Sequence, residues 1–384
     1  MIKTRKFKKN KFNKISRRGK KYKARQATMR QKNRKRVKRR KRSRKMRGGK
    51  AIAAGSVGCI FKPALKCTDK DTDAKDTRVS KLMIKSEAEK EIKEVKAIAD
   101  VLSEVGNNYF IIAQESEKCD LSYSLNEEDL VSENSKKKCK EIFAKDANWN
   151  NFSLLNMPYG GNNLQKWLDN SGTLSNENFQ KINKLLIELL EKAIVPMNEK
   201  NVFHLDIKTQ NLVYDDQSSI RIIDWGYARK FEPETNKIPQ MYTEQLYYAV
   251  PFGFLFFYPD IYTETVVKYD FKYLQDLKSY LNDDTKLNEY INEHLKMIRE
   301  KYNNNDDGRF KYFSEVFSKN ADIWGFLCMY IKIYEKIQDD NIKQNIIKLI
   351  DDYILNSNWA VKAYNVCGIM SDLKNLANDG PVKP

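Results

Sequence analysis

The chain has 384 residues and a formal net charge of +19, and its first fifty residues account for that charge. Residues 1–50 hold 27 of the 70 Lys and Arg side chains and neither Asp nor Glu, so the remainder carries 43 basic and 51 acidic side chains, a net charge of −8. The longest apolar run, AVPFGFLFF at 249–257, is far shorter than the roughly 20 residues that cross a bilayer. The sequence therefore excludes a membrane-spanning helix and predicts a soluble chain, long enough to bury the cores of two average domains.

The segment 1–50 contains too few apolar residues to offset the entropy that is lost on ordering, which predicts a disordered tail. Such a Lys/Arg run attracts polyanions by counterion release, with little sequence selectivity. Nucleic acid, an anionic membrane surface and nuclear import all fit this tail. A solubilising or packaging role without a specific partner fits it equally well.

Six cysteines are scattered through the rest of the chain without a C-x-x-C pair: Cys59, Cys67, Cys119, Cys139, Cys328 and Cys367. This spacing argues against a zinc site and against a disulfide framework. We therefore expect free thiols and a reducing, intracellular location.

In chain order, the first pattern after the tail is AIAAGSVGCIFKPALKC, which predicts two strands around a glycine turn. The polar residues 68–78 predict a loop, and VSKLMI predicts a strand. From Ser86 onward, apolar residues at helical spacing predict an amphipathic helix: Ala88, Ile92, Val95, Ala99 and Leu102.

Further along, the polar residues 115–140 predict an elaborated loop, and FSLLNMPYGG predicts a buried strand that ends in a turn. Apolar residues within 182–193 predict a second strong helix, and the pattern beyond Gly226 is mostly helical. Strands with one helix therefore precede a run of helices. This order predicts an α+β fold with two unequal lobes.

The segment HLDIKTQNLVYDDQSSIRIIDWG, residues 204–226, concentrates the groups that phosphate chemistry needs. Moving a phosphoryl group requires a carboxylate that orients the attacking hydroxyl, a lysine that neutralises developing charge, and oxygen ligands for Mg²⁺. Four side chains supply these groups: Asp206, Lys208, Asn211 and Asp224. Two short strands around the turn DDQSS would return Asp224 to the side of Asn211.

On these residues the chain resembles the protein kinase family. HLDIKTQN is similar to the catalytic-loop pattern H-R-D-x-K-x-x-N, and DWG is similar to D-F-G. The resemblance implies that Asp206 accepts the proton of the substrate hydroxyl and that Lys208 contacts the γ-phosphate of ATP. It also implies that Asn211 and Asp224 hold Mg²⁺. A lysine two residues after the aspartate resembles the serine/threonine-specific branch.

AAGSVGCI resembles the kinase glycine-rich loop G-x-G-x-x-G-x-V, with an alanine at the first glycine position. The resemblance implies an ATP-binding loop made of Ala53, Gly55, Ser56, Gly58 and Ile60. Gly55 and Gly58 would let backbone N–H groups approach the phosphates without a Cβ in the way.

The family also needs a strand lysine on the ATP phosphates, held by a helix glutamate. Lys81 and Lys85 both lie near the strand VSKLMI. At about 100° per residue, Glu91 lies beside the apolar stripe of the following helix and can point inward. Lys81 precedes Glu91 by ten positions, enough to end a strand and begin a helix, whereas Lys85 precedes it by six. We predict that Lys81 binds the ATP phosphates and pairs with Glu91. Lys85 is the alternative lysine.

LLNMPYGGNNL resembles the strand and hinge that join the two kinase lobes. The resemblance implies that Met157 and Tyr159 border the adenine of ATP.

Three positions depart from the family pattern. Leu205 stands where an arginine usually pairs with a phosphorylated activation loop, so we expect a basal, constitutive activity. Val-Pro-Phe at 250–252 occupies the A-P-E position without its glutamate. Asp322 resembles the buried helix aspartate that braces the catalytic loop, but it comes late in the chain. Residues 259–318 are therefore predicted to be an insertion, the alternative being a different fold.

The resemblance implies a two-lobed fold with a small antiparallel β-sheet and one helix at 51–160, a larger helical lobe at 161–384, and the disordered basic tail at 1–50. It implies an ATP- and Mg²⁺-dependent serine/threonine kinase with a protein substrate. GSVGCIFKPALKC, VSKLM and the basic tail further resemble divergent kinases of large nucleocytoplasmic DNA viruses. That likeness implies a virion or the host cytoplasm as the location. The basic tail is also compatible with import into the nucleus.

Two other function classes compete with this interpretation. Small-molecule kinases of the aminoglycoside or choline type also use H-x-D-x-x-x-x-N and often an aspartate–tryptophan pair. Lys208 and Gly226 favour the protein kinase over them. A pseudokinase or a basic packaging protein is the non-enzyme alternative, which the complete set of catalytic groups disfavours.

Overall fold

The computed structural model describes residues 49–55, 58–68, 77–121, 124–125, 129–130, 133–144, 148–215, 219–235, 237–238, 249–258 and 272–376. The predicted tail up to residue 48, Ser56 of the glycine turn and residues 259–271 of the predicted insertion lie outside these ranges. The chain divides into two compact units. The first contains the described residues up to Lys85 and Cys119–Asn156. The second contains Ser86–Lys118 and the described residues from Met157 onward.

The strands of the described residues form three sheets. Their bounds are β1 Lys50–Ala54, β2 Gly58–Lys62, β3 Arg78–Ile84, β4 Lys118–Asp120, β5 Phe152–Pro158, β6 Asn162–Asn163, β7 Val202–Phe203, β8 Leu212–Tyr214, β9 Ile220–Ile222 and β10 Arg229–Lys230. The largest sheet has the strand order β1-β2-β3-β5-β4, and the smaller ones have the orders β6-β8-β9 and β10-β7.

The helices lie mostly in the second unit. Their bounds are α1 Lys85–Val105, α2 Glu133–Ala144, α3 Leu164–Asn170, α4 Asn176–Leu189, α5 Val195–Glu199, α6 Lys272–Leu281, α7 Asp284–Lys301, α8 Asp306–Tyr312, α9 Ser318–Tyr334, α10 Asp340–Leu349 and α11 Val366–Asn375. Single π-helical turns at Leu190–Ile194, Phe313–Phe317 and Ile350–Ile354 continue α4, α8 and α10.

The first unit begins with the predicted β-hairpin. Ala54 lies opposite Cys59, and the Gly55 N–H donates to the Gly58 carbonyl across the turn at 2.8 Å. β2 then pairs antiparallel with β3, which places Ile60 opposite Lys81. Apolar side chains of β2, β3 and β5 fill the core of this unit, among them Phe61, Leu82 and Leu154.

Two disulfides cross-link the first unit: Cys59–Cys139 and Cys67–Cys119. The prediction of free thiols is therefore wrong for these four cysteines, while Cys328 and Cys367 are free. Spacing alone could not reveal the pairs, because the bonded partners lie 80 and 52 residues apart and meet only in the folded sheet. The first disulfide joins β2 to α2, and the second joins the segment after β2 to β4.

The prediction of a loop over the whole polar stretch 115–140 is wrong. This stretch contains strand β4 and most of helix α2. A run of lysines hides the helical period of α2, whose buried face consists mainly of Cys139 and Ile142. The disulfide to Cys59 adds an attachment that hydrophobic periodicity does not register.

The second unit is built around α9, which is buried along almost its entire length. A helix that is apolar on all sides lacks the stripe of a surface helix and belongs inside a core. Helix α1 is amphipathic as predicted, although Ile98 rather than Ala99 lies in the buried stripe. Pro196 near the start of α5 has no N–H for the helical ladder, and a π-helical turn precedes it.

The predicted α+β fold is confirmed: an antiparallel β-sheet and a helix are followed by a mainly helical C-terminal region. Within the described part of the chain, no helix combines the length and apolar character needed to cross a membrane.

Candidate active site

Asp206 lies in the loop between β7 and β8, where its side chain is almost fully buried. The Lys208 ammonium lies 2.6 Å from each carboxylate oxygen of Asp206. The Asn211 amide nitrogen donates to the Asp206 Oδ2 at 2.7 Å and to the Asp206 carbonyl at 2.9 Å. These bonds fix the carboxylate in one orientation, so the structure brings together three of the predicted site residues.

The environment of Asp206 suits a base. Burial raises the pKa of the Asp206 carboxyl, and the nearby Lys208 charge opposes that shift. The carboxyl is therefore more basic than one in water, while its ionised form is stabilised by a hydrogen-bonded cation.

His204 anchors the same loop from behind. Its Nδ1 accepts the Asp206 backbone N–H at 3.2 Å, and its Nε2 donates to the Ile223 carbonyl at 3.1 Å. This pattern requires the neutral imidazole with its proton on Nε2. Burial agrees with it, because desolvation lowers the pKa of His204 to about 4.

Asp322 on α9 braces the loop, as predicted. Its two carboxylate oxygens accept the backbone N–H groups of His204 at 2.8 Å and Leu205 at 2.6 Å. Leu205 has φ = 63°, a left-handed conformation that costs a residue with a Cβ about 1–2 kcal/mol. The hydrogen bond from Leu205 to Asp322 holds this strained turn in place. Burial raises the pKa of Asp322 to about 7.

The predicted hairpin returns Asp224 to Asn211. β8 and β9 pair antiparallel with Leu212 opposite Ile222, and the Ile223 N–H donates to the Asn211 carbonyl at 2.9 Å. The tip of the predicted turn, residues 216–218, lies outside the described residues. Asp224 therefore follows directly on a residue that is bonded to Asn211.

These two residues suit Mg²⁺. The Asn211 nitrogen donates to Asp206, so the Asn211 oxygen is the atom that can bind a cation. Asp224 contributes an exposed carboxylate. Hard oxygen donors of this kind match Mg²⁺, so Asn211 and Asp224 are the residues that would hold it. Among the described residues, no group of three or more His, Cys, Asp and Glu side chains could form a metal cage.

Trp225 was predicted only as the middle residue of the motif that is similar to D-F-G. Its indole nitrogen donates to the Ile111 carbonyl at 3.0 Å, and its ring makes edge-on contacts with Phe110 and His204. No pattern around 107–113 indicated this contact, because the two segments are 114 residues apart in the chain.

In the first unit, the two glycines of the predicted loop differ in their surroundings. A Cβ on Gly58 would lie 2.9 Å from the Leu82 carbonyl oxygen, so this glycine permits β2 to pack against β3. A Cβ on Gly55 would meet the Gly58 carbonyl at an ordinary 3.7 Å. Ala53 is exposed and Ile60 is half-buried. Gly58 therefore has a packing role that the predicted phosphate contact did not include.

The two candidate lysines also lie in different settings. Lys81 is half-buried in the middle of β3, opposite Ile60. Lys85 is the first residue of α1 and forms an exposed salt bridge with Asp120 at 3.1 Å. Glu91 belongs to the second unit, where it lies on the buried stripe of α1. The pair Lys81–Glu91 stays a prediction.

The protein kinase domain family matches residues 49–251, more than half of the chain. The chain belongs to this family. The kinase domain thus includes the glycine hairpin, β3, α1 and the whole segment 204–226. The match ends at Pro251, the middle residue of the predicted A-P-E position at 250–252.

The residues predicted to form the kinase hinge lie at the end of β5 and directly after it. Met157 and Tyr159 are half-buried, and Gly160 is buried against Val213 and Ile111. A Cβ on Gly160 would lie 2.4 Å from a Val213 methyl group, so any larger residue here would displace the Val213 and Ile111 side chains. Contact of Met157 and Tyr159 with adenine stays a prediction.

Beyond the family match, the described residues of the kinase form an apolar segment and the helices α6 to α11. Residues 252–257 are buried, and a Cβ on Gly253 would collide with the Tyr312 hydroxyl. The described part of the predicted insertion, residues 272–318, is helical except at 282–283 and 302–305. Asp322 in α9 then reaches back to the catalytic loop, which makes the C-terminal region part of the support of the site.

Proposed function

We propose that this chain is an ATP- and Mg²⁺-dependent kinase that phosphorylates serine or threonine hydroxyls of proteins. The observation that carries the proposal is the buried Asp206 carboxylate, held between the Lys208 ammonium and the Asn211 amide. The lysine two residues after the aspartate supports serine/threonine specificity through its resemblance to that branch of the family.

In the proposed reaction, Asp206 orients the substrate hydroxyl and accepts its proton as the oxygen attacks the γ-phosphorus. The bond from phosphorus to the bridging oxygen breaks, and ADP leaves with that electron pair. Lys208 neutralises charge on the transferred group. Asn211 and Asp224 would hold Mg²⁺, which would neutralise charge on the phosphate oxygens. Lys81 and Glu91, with the loop of Ala53, Gly55, Ser56, Gly58 and Ile60, are proposed to hold the ATP phosphates.

The activity is proposed to be basal. Leu205 offers no cation to a phosphorylated activation loop, and Asp322 rather than such a phosphate contact fixes the Leu205 backbone. Intact-mass measurement of active protein should therefore show no required phosphate between Trp225 and Val250. Activity that appears only after phosphorylation there would contradict this part.

The direct test is transfer of radiolabel from [γ-³²P]ATP to a protein mixture, followed by phosphoamino-acid analysis. Wild type should label serine and threonine, whereas Asp206→Asn should lose at least a hundredfold in rate, since general-base catalysis contributes about 10²–10⁴-fold. Asp100→Asn, which changes an exposed carboxylate on α1, is the matched control and should stay active.

Other results would decide against the proposal. Label on a sugar or amine with none on protein would show a small-molecule kinase of the aminoglycoside or choline type. Equal labelling by wild type and Asp206→Asn would show that Asp206 is not the base. Absence of any Mg²⁺-dependent nucleotide binding would favour a pseudokinase or packaging protein.

The tail and the location belong to the same proposal. Residues 1–50 are proposed to bind nucleic acid or another polyanion, so their deletion should abolish that binding and preserve turnover. The location is proposed to be intracellular, in a virion or the host cytoplasm, on the strength of the viral resemblance. A reducing compartment would keep the cysteines of the two disulfides as free thiols. Titration of the free thiols in the native protein therefore tests whether its compartment is reducing.

A further inference from the structure

Helix α3 is bonded to the catalytic loop through the side chain of Gln165. The Thr209 hydroxyl donates to the Gln165 Oε1 at 2.8 Å, and the Gln210 side-chain nitrogen donates to the same oxygen at 3.2 Å. Both donors lie between Lys208 and Asn211, in a single 3-10 turn. One oxygen of α3 therefore accepts two hydrogen bonds from the part of the loop that separates two of the proposed site residues.

The Gln165 amide is itself held in one orientation. Its nitrogen donates to the Asp169 Oδ1 at 2.9 Å, one turn further along α3. The start of α3 is fixed as well, because Asn163 pairs with Val213 of β8 and accepts the Lys166 N–H at 2.8 Å. The nitrogen therefore points along the helix, and the oxygen is left for the two donors of the loop.

Two other attachments hold the ends of the catalytic loop. At its start, Asp322 accepts two backbone N–H groups, and at its end the Asn211 carbonyl accepts the N–H of Ile223. Lys208 lies between these attachments, with its ammonium against the Asp206 carboxylate. The bonds from α3 to the next two residues supply the restraint in the middle of the loop.

The hydroxyl that makes the shorter of these bonds lies inside the fold. Thr209 is buried, so without the Gln165 oxygen its hydroxyl could not turn to water instead. A second acceptor, the Gln210 Oε1, lies 3.4 Å from the hydroxyl, close to the limit of a hydrogen bond. Loss of the Gln165 oxygen would therefore leave the turn with a much weaker restraint.

We infer that Gln165 is a positioning residue, whose side-chain oxygen fixes the turn after Lys208 and thereby the contact of Lys208 with the Asp206 carboxylate. The inference rests on the proposed function, because it takes Asp206 as the base and Lys208 as its cation. It deepens that function, because it makes α3 part of the support of the catalytic groups. The hydrogen bonds to the Gln165 oxygen, and not the length of its side chain, provide this support.

The test is a double-mutant cycle between Gln165 and Thr209. Gln165→Met keeps the length of the side chain and removes the acceptor, whereas Thr209→Val keeps the shape and removes the donor. Each should lower kcat about 3–10-fold, the factor that corresponds to one buried hydrogen bond, and change the KM for ATP less than about twofold. The double variant should lose no more than Gln165→Met alone, because the shared bond is already absent. Thr209→Ser restores the hydroxyl and should recover most of the lost kcat. Gln344→Met, at an exposed position on α10, is the matched control.

The pH profile separates positioning from a general loss of structure. The charged side chains that face Asp206 are Lys208, Asp224 and Asp322, and the substitutions alter none of them. Lys208 lowers the pKa of Asp206, so a less well placed ammonium should move the acidic limb of the kcat–pH profile to higher pH. Both single variants should show this shift, and the control should not.

An unchanged kcat or an unmoved acidic limb in Gln165→Met overturns the inference, and so does additivity in the double variant. If wild type transfers no phosphate, the proposed function fails, and hydrogen exchange alone decides whether Gln165 fixes the turn. The Asn211 amide, which donates to the Lys208 carbonyl at 2.9 Å, should exchange faster in Gln165→Met, and unchanged exchange would refute the restraint. If Gln165→Met does not fold, Thr209→Val against Thr209→Ser makes the same comparison.

Discussion

Gly58 offers a sharp test of the first unit, because Gly55 three residues earlier is its natural control. A Cβ at position 58 would lie 2.9 Å from the Leu82 carbonyl oxygen and 3.3 Å from the Met83 Cβ. Both neighbours belong to β3, and the carbonyl belongs to the backbone, so neither can rotate away. Among the described residues, a Cβ at position 55 meets only the Gly58 carbonyl, at 3.7 Å.

The expected magnitudes follow from these distances. Forcing an extra methyl group into a packed sheet costs about 1–3 kcal/mol. Replacing glycine by alanine where the backbone allows it stabilises a protein by about 0.4–1 kcal/mol through the unfolded state. Gly58→Ala should therefore be less stable than Gly55→Ala by about 1–3 kcal/mol in the free energy of unfolding, and Gly55→Ala should equal or exceed wild type.

Urea unfolding measures the stability difference, and hydrogen exchange locates it. Amides of β2 and β3 should lose protection in Gly58→Ala, because the methyl group separates the two strands at Leu82. The KM for ATP should also rise, since Lys81 neighbours Leu82 on the displaced strand. A Gly58→Ala variant as stable as Gly55→Ala would refute the packing argument. A rise in the KM for ATP in Gly55→Ala alone would show that phosphate approach, and not packing, requires small residues here.

Three further predictions concern charge and covalent links. Lys208→Ala should move the acidic limb of the kcat–pH profile to higher pH, because Lys208 lowers the pKa of Asp206, while Lys208→Arg should leave it in place. Lowering the pH from about 6.5 to about 4 should destabilise the protein. Burial lowers the pKa of His204 to about 4 and that of His294 to about 3, so both stay neutral in the folded protein. Both become protonated in the unfolded chain, which favours unfolding. For His204 the loss is about 3 kcal/mol, and an unchanged pH slope of urea unfolding in His204→Gln would contradict it. Reduction by dithiothreitol should add about 4 Da to the intact mass and lower the unfolding temperature of the first unit. In the chain-entropy account, each disulfide-closed loop contributes about 4 kcal/mol to stability. An oxidised mass equal to the reduced one would contradict the disulfides.

The catalytic segment was predictable because its residues are close in sequence. Six consecutive positions contain Asp206, Lys208 and Asn211. The short hairpin that follows them returns Asp224 to the side of Asn211. Helix α1 was predictable for the same reason, since an apolar stripe is a local pattern. The brace by Asp322 was predicted only through the resemblance to a known family.

The unpredicted features all depend on contacts between distant parts of the chain. Disulfide pairing is a property of the folded sheet, and cysteine spacing permits many connectivities. Helix α2 was missed because its lysines obscure the period of its buried residues. The bond from Trp225 to Ile111 leaves no trace in either local sequence. Likewise, nothing near Gly58 shows that the Leu82 carbonyl lies behind it.

The distance along the chain between Ile111 and Trp225 also bears on how the protein is made. Translation proceeds at about 5–20 residues per second, so the 114 residues between them take about 6–23 seconds to emerge. During that time α1 has left the ribosome with its apolar stripe uncovered, while the buried partners of its unit are still being synthesised. The sheet of the first unit must likewise wait for β5. A nascent chain of this protein therefore exposes the apolar face of an amphipathic helix for seconds. We expect holdase chaperones to bind it before the catalytic segment has been synthesised.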